Sequence, residues 1–149
     1  MSFRKTKLLS VLLAVFAGLT INSAVAQVEV CQWRIVNYWS EWCAPCRIEI
    51  PMLNALNARF AGSNVSVVGI NFEEDPRDQT LEIAAELEIE FPVLTKQQVI
   101  ELGLRPPDVL PTTYILSPTN EVVAKLIGMQ TEQQLHDQLQ ILGVPLTKH

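Results

Sequence analysis

The run Ile35-Val36-Asn37-Tyr38-Trp39 is rich in β-branched and aromatic residues and reads as a buried strand. Shortly after it comes Cys43-Ala44-Pro45-Cys46, and from Cys43 onward the apolar residues Ile48, Met52, Leu56 and Phe60 recur every four positions. That is the pattern of an amphipathic helix, with Pro51 as an expected kink. A strand that feeds a helix through a Cys-x-x-Cys junction directs the chain towards an α/β domain.

The remaining elements agree. Val65 to Phe72 reads as a second strand, and Gln79 to Ile89 as a helix introduced by Asp75-Pro76. Phe91 to Leu94 reads as a short third strand, placed at an edge because Pro92 has no N–H to donate. A helical turn is expected near Gln97–Leu102. Thr112 to Leu116 and Glu121 to Ile127 are close enough in sequence to form a hairpin. Thr131 and Gln134 make a capping box for a last helix, with Leu135, Leu139 and Leu142 on its inner stripe and Gly143 and Pro145 ending it. The expectation is a mixed sheet of four to five strands with helices on both faces.

At 149 residues one globular domain is expected. A net charge of −5 argues against a nucleic-acid binder that works by neutralising phosphates. Two His exclude a His-rich metal site, and three Cys are too few for a disulfide-stapled mini-protein. The first 26 residues form a different unit. Arg4, Lys5 and Lys7 precede an apolar run from Leu8 to Ile21, and Ala24-Val25-Ala26 closes it. These are the parts of a secretory signal peptide cleaved after Ala26, with an uncleaved N-terminal anchor as the alternative. Residues 27–149 then form the domain, in a compartment where disulfides form and persist.

The chemistry concentrates at the junction. If Cys43 occupies the first position of its helix, unpaired N–H groups and the positive end of the helix dipole stabilise its thiolate, so its pKa falls below the ordinary value of about 8.5. Cys46, one turn on, can attack a mixed disulfide formed on Cys43. Other readings of the pair are weaker. A static disulfide closing so short a loop removes little unfolded-state entropy. Zinc would need two more ligands, and only Cys31, His136 and His149 are available.

The segment Val36-Asn37-Tyr38-Trp39-Ser40-Glu41-Trp42-Cys43-Ala44-Pro45-Cys46-Arg47 closely resembles the active-site segment of thioredoxin-fold proteins. Glu49-Ile50-Pro51-Met52-Leu53, Val67-Val68-Gly69-Ile70-Asn71 and Leu110-Pro111-Thr112-Thr113-Tyr114-Ile115-Leu116 resemble the exported TlpA/ResA-like branch of the thiol-disulfide oxidoreductases. The resemblance spans Ile35 to Leu142. It implies a thioredoxin fold, an attacking thiolate at Cys43 and a resolving thiol at Cys46. It also implies a cis-proline at Pro111, and a Leu110 backbone that pairs with an extended substrate. That branch places a Glu after the second strand. Here Glu73 or Glu74 could serve, and Glu74 corresponds best, as a buried base for the Cys46 proton. A solvated acidic loop is the competing reading of Glu73-Glu74-Asp75. Trp42 is expected to shield the site and Trp39 to belong to the core.

The resemblance further implies protein dithiol or disulfide substrates, no dissociable cofactor, and a reductant role supported by a membrane electron donor, as in cytochrome c maturation. The branch's usual N-terminal hairpin is expected to be trimmed, since only Gln27 to Gln32 precede the first strand. Two alternatives stay open: a thiol peroxidase of the same fold, and a metal-binding thiol chaperone that passes copper through the two sulfurs. Cys31 reads as a small core residue or an intermolecular thiol.

Overall fold

The computed structural model describes residues 32–146, so the signal segment, Cys31, His149 and the question of an N-terminal hairpin lie outside the described residues. Within them the order is β1 (Trp33–Trp39), α1 (Ala44–Arg59), β2 (Val65–Asn71), α2 (Arg77–Glu86), α3 (Lys96–Glu101), β3 (Thr112–Leu116), β4 (Val122–Ile127) and α4 (Glu132–Ile141). The four strands form one mixed sheet in the order β2-β1-β3-β4. β1 and β2 run parallel, with Trp33 opposite Val65 and Trp39 opposite Asn71. β3 runs antiparallel to both β1 and β4. The expected hairpin of β3 and β4 is therefore present.

Alternation along β1 sorts the core into two layers. Ile35 packs with Leu53 and Leu56 of α1, Leu135 and Leu139 of α4, Val67 and Ile115. Val36 and Tyr38 pack with Val68, Ile70, Tyr114 and Leu104, beside Val99 of α3. Each fully buried Leu or Ile in these layers contributes about 1.5–3 kcal/mol of transfer free energy. α2 closes the end of the sheet that carries the Cys pair, with Ile83 and Ala84 packed against Trp39 and Cys46.

Three expectations need correction. The buried stripe of α1 is Cys46, Glu49, Ile50, Leu53 and Leu56, and Ile48 points to solvent. Steps of four residues overshoot a helical turn by about 40° each, so a strict period of four drifts off the inner face. The third strand shrinks to a single parallel bridge between Gly69 and Val93. Gly69 N–H donates to the Pro92 carbonyl and Leu94 N–H to the Gly69 carbonyl, both at 2.8 Å. Pro92 faces β2 without an N–H, so the ladder stops there. Finally, α2 ends at Glu86 rather than Ile89, because Glu88 takes φ 56°. The N–H groups of Glu88 and Ile89 return to the carbonyls of Ala85 and Ala84 at 3.1 and 2.9 Å, which is a Schellman cap without glycine.

α4 follows its sequence signals. Both halves of the Thr131/Gln134 capping box are formed. Gly143, at φ 71°, closes the far end in the same type of cap, with Val144 N–H on the Leu139 carbonyl at 3.0 Å.

Candidate functional site

β1 delivers the chain to a tight turn at Ser40–Trp42, and Cys43 becomes the N-cap of α1 rather than its first helical residue. The difference matters physically. An N-cap side chain accepts from the helix's free amides, and here the Cys43 Sγ accepts from the Cys46 N–H at 3.2 Å. Pro45, in the first turn, has no N–H to leave unpaired there. Cys43 and Cys46 are joined as a disulfide with Cα atoms 5.2 Å apart. Cys43 is half-buried, and Cys46 is only 1% exposed, enclosed by Trp39, Ile83 and Ala84.

A second set of bonds holds the turn. Ser40 Oγ donates to Glu73 Oε1 at 2.5 Å and accepts from the Trp42 N–H at 3.2 Å. The Ser40 carbonyl accepts from the Cys43 N–H at 3.2 Å. The loop after β2 thus fixes the loop after β1. Sequence reasoning missed Ser40, since a serine beside a turn carries no pattern of its own.

The Leu110–Pro111 peptide is cis, as the family resemblance implied. Leu110 packs at the margin of the cluster around Cys46, as does Cys43, so the loop before β3 lies beside the redox pair. Pro111 is buried, and its carbonyl accepts from the Gly128 N–H at 2.9 Å. Trp42 immediately precedes Cys43 in the turn. Its side chain is 80% exposed, because its backbone sits at the crest of the turn, while Trp39 is fully buried as expected.

The carboxylate selected by burial is Glu49, not Glu74. Glu49 lies on α1 one turn beyond Cys46 and is 2% exposed. Its Oε1 accepts from the Gln130 N–H at 3.0 Å, and its Oε2 from Asn37 Nδ2 at 3.2 Å. Asn37 Nδ2 also donates to Thr113 Oγ1 at 3.1 Å. Burial raises the Glu49 pKa above the usual carboxylate value, opposed by the Gln130 amide and the Asn37 side chain. Glu74, at φ 55°, instead turns outward and pairs with Lys96 Nζ at 2.8 Å, its side chain 54% exposed. The acidic loop is a solvated feature at that position. A helical wheel anchored on Cys46 would have found Glu49, since positions three apart share a face.

Among the described residues, no three His, Cys, Asp or Glu side chains cluster to hold a metal ion. His136 lies on α4 with its Nδ1 3.8 Å from Asp137 Oδ1. No described helix is long and apolar enough to cross a membrane.

The chain is 29% identical over 105 residues to the thiol-disulfide oxidoreductase ResA of Bacillus cereus, covering 70% of this chain and 60% of that protein. It is 29% identical over 109 residues to ResA of Bacillus subtilis, covering 72% and 59%. It thus spans about 60% of the length of these curated relatives. Among solved structures it superposes on StoA from Bacillus subtilis with a TM-score of 0.58 at 23% identity, over 71% of this chain and 81% of that one. A DsbF homologue from Corynebacterium diphtheriae gives 0.60 at 26% identity, over 74% and 72%. The fold is thioredoxin-like. The AhpC/TSA family model matches residues 19–125, most of the sequence, and the chain belongs to that family.

Proposed function

We propose that the chain is a thiol-disulfide oxidoreductase that exchanges disulfides with protein substrates. The observation that carries this reading is the Cys43 sulfur at the N-cap of α1, bonded to the Cys46 amide and already paired with Cys46. When the pair is reduced, that amide and the helix dipole favour a thiolate on Cys43. The thiolate attacks one sulfur of a substrate disulfide, forming a mixed disulfide and releasing one substrate thiolate. Cys46 then loses its proton and attacks the Cys43 Sγ. This re-forms the internal disulfide and releases the second substrate thiolate. The substrate gains two electrons and the Cys pair loses two.

Glu49 supplies the base in this scheme. Its carboxylate lies one turn from Cys46 on the same buried face, and its raised pKa brings it closer to that of a thiol. The exposed ring of Trp42 and the backbone of Leu110 offer a partner polypeptide an apolar surface and hydrogen-bonding groups. Among the described residues, neither the Leu110 N–H nor its carbonyl has a hydrogen-bond partner.

The reading extends to an exported protein acting as a reductant, supplied with electrons by a membrane donor. Export is supported by the charged start, apolar centre and Ala24-Val25-Ala26 end of residues 1–26. The reductant role and the electron donor, in a setting such as cytochrome c maturation, rest on the resemblance to the TlpA/ResA-like branch. Trapping tests the whole proposal. A Cys46→Ser chain expressed in its own cell should accumulate mixed disulfides through Cys43 with identifiable proteins. The absence of any Cys43-linked adduct, with the internal pair competent to form in wild type, would refute it.

A further inference from the structure

A cavity of about 200 Å³ lies on the sheet face opposite α1, walled by Tyr38, Ile70, Leu94, Val99 and Leu104, with the Glu74–Lys96 pair at its rim. None of Cys43, Cys46, Glu49 or Pro111 lines it. Tyr38 is 1% exposed, and its hydroxyl has no hydrogen-bond partner among the described residues. Buried hydroxyls are almost always paired, and one left unpaired bears the full desolvation penalty. We propose that this cavity binds a small neutral ring compound whose single acceptor oxygen takes the Tyr38 hydroxyl proton in a hydrogen bond.

Three features fix the ligand class. The volume exceeds the roughly 150 Å³ of an apolar cavity known to hold benzene, yet falls short of the roughly 300 Å³ at which drug-sized pockets begin. One substituted ring is the match. The rim is charge-balanced and already engaged: Lys96 pairs with Glu74, Asp75 accepts from Asn71 at 2.9 Å, and Arg77 donates to the Val93 carbonyl at 3.0 Å. With two cations, Arg77 and Lys96, against two carboxylates, Glu74 and Asp75, the rim carries no net charge that would favour a charged ligand over a neutral one. Burial, with smaller contributions from Tyr114 and Glu74, pushes the Tyr38 pKa up to about 12, so the hydroxyl acts as a donor throughout the neutral range. The proposal is independent of the redox reading.

Acetophenone and ethylbenzene have the same ring and chain length and differ in the carbonyl, which makes them the probes. Each is titrated into the oxidised full-length chain while backbone amide shifts are followed by NMR. Saturable shifts should centre on Ile70, Val99 and Leu104, with acetophenone about tenfold tighter, as one added hydrogen bond gives. In Tyr38→Phe the two probes should bind alike, and Val99→Trp, which fills the cavity, should bind neither. If Tyr38→Phe fails to fold, the wild-type preference and its loss in Val99→Trp still decide the matter. Three outcomes overturn the proposal: no saturable shifts, meaning a cavity that holds solvent only; equal affinities in wild type; or an acetophenone preference that survives in Tyr38→Phe.

Discussion

Replacing Glu49 by Gln removes one buried charge and keeps the shape. The carboxylate is 2% exposed and has two N–H donors, Gln130 and Asn37. Burial outweighs both, so its pKa in the folded chain stands above the ordinary value of 4.5. The folded chain therefore holds this proton to higher pH than the unfolded chain does. The associated stability is complete below the unfolded value and is lost as pH rises through the folded one. The loss can reach about 1.4 kcal/mol per pH unit across that window. Gln keeps an oxygen for the Gln130 amide, but its NH₂ meets the Asn37 amide, at a cost of about 1 kcal/mol unless Asn37 turns over. That cost does not depend on pH, so the slope separates the two effects. Urea denaturation of the oxidised chain from pH 4 to 8 is the assay, because the disulfide prevents either cysteine from titrating. Wild type should lose stability relative to Glu49→Gln as pH rises above the unfolded value. Parallel stability curves for the two chains would refute the assignment of a strained buried charge to Glu49.

Glu74→Gln should leave the rate of insulin-disulfide reduction within about twofold of wild type at every pH, since an exposed pair such as Glu74–Lys96 contributes little; Glu49→Gln should slow it on the order of 10²-fold near neutrality. The reverse ranking would restore the base role to the acidic loop. Ser40→Ala frees the Trp42 N–H and the Glu73 carboxylate. It should cost about 1 kcal/mol in denaturation and slow Cys43 alkylation severalfold, and unaltered alkylation would count against the clasp. At Gly69, an added Cβ would lie 2.7 Å from Phe91 Cε2 and 2.8 Å from Trp39 Nε1. Gly69→Ala should therefore destabilise the fold by about 1–3 kcal/mol, and a neutral result would mean that the Phe91 segment gives way freely.

The parts legible in the sequence are those whose signals are local. β3 falls on Thr112–Leu116 as its β-branched and aromatic run implies, and α4 lies between a Thr/Gln capping box and a glycine. The end of α2 was hidden because Glu88 holds the left-handed position that Gly143 holds for α4. The Cys pair and the cis-proline were visible as motifs, yet the burial of Glu49 was not. One misphased stripe accounts for that. Counting fours from Ile48 sets Glu49 on the flank of α1, whereas counting turns from Cys46 sets it among Ile50, Leu53 and Leu56. The resemblance pointed instead to a Glu after the second strand, and only tertiary burial separates Glu49 from Glu74. The Tyr38 cavity had no sequence signal, since it arises where α3 and the loop after β2 meet.

Reactivity at residue 43 is the most direct test of the site. The reduced chain is alkylated with iodoacetamide across pH 4 to 9, and the first label is located by mass spectrometry. Modification should fall on Cys43 before Cys46, with a titration midpoint well below that of an ordinary thiol, because the Cys46 amide and the helix dipole stabilise that sulfur as an anion. First labelling of Cys46, or a Cys43 midpoint at the ordinary thiol value of about 8.5, would contradict the mechanism.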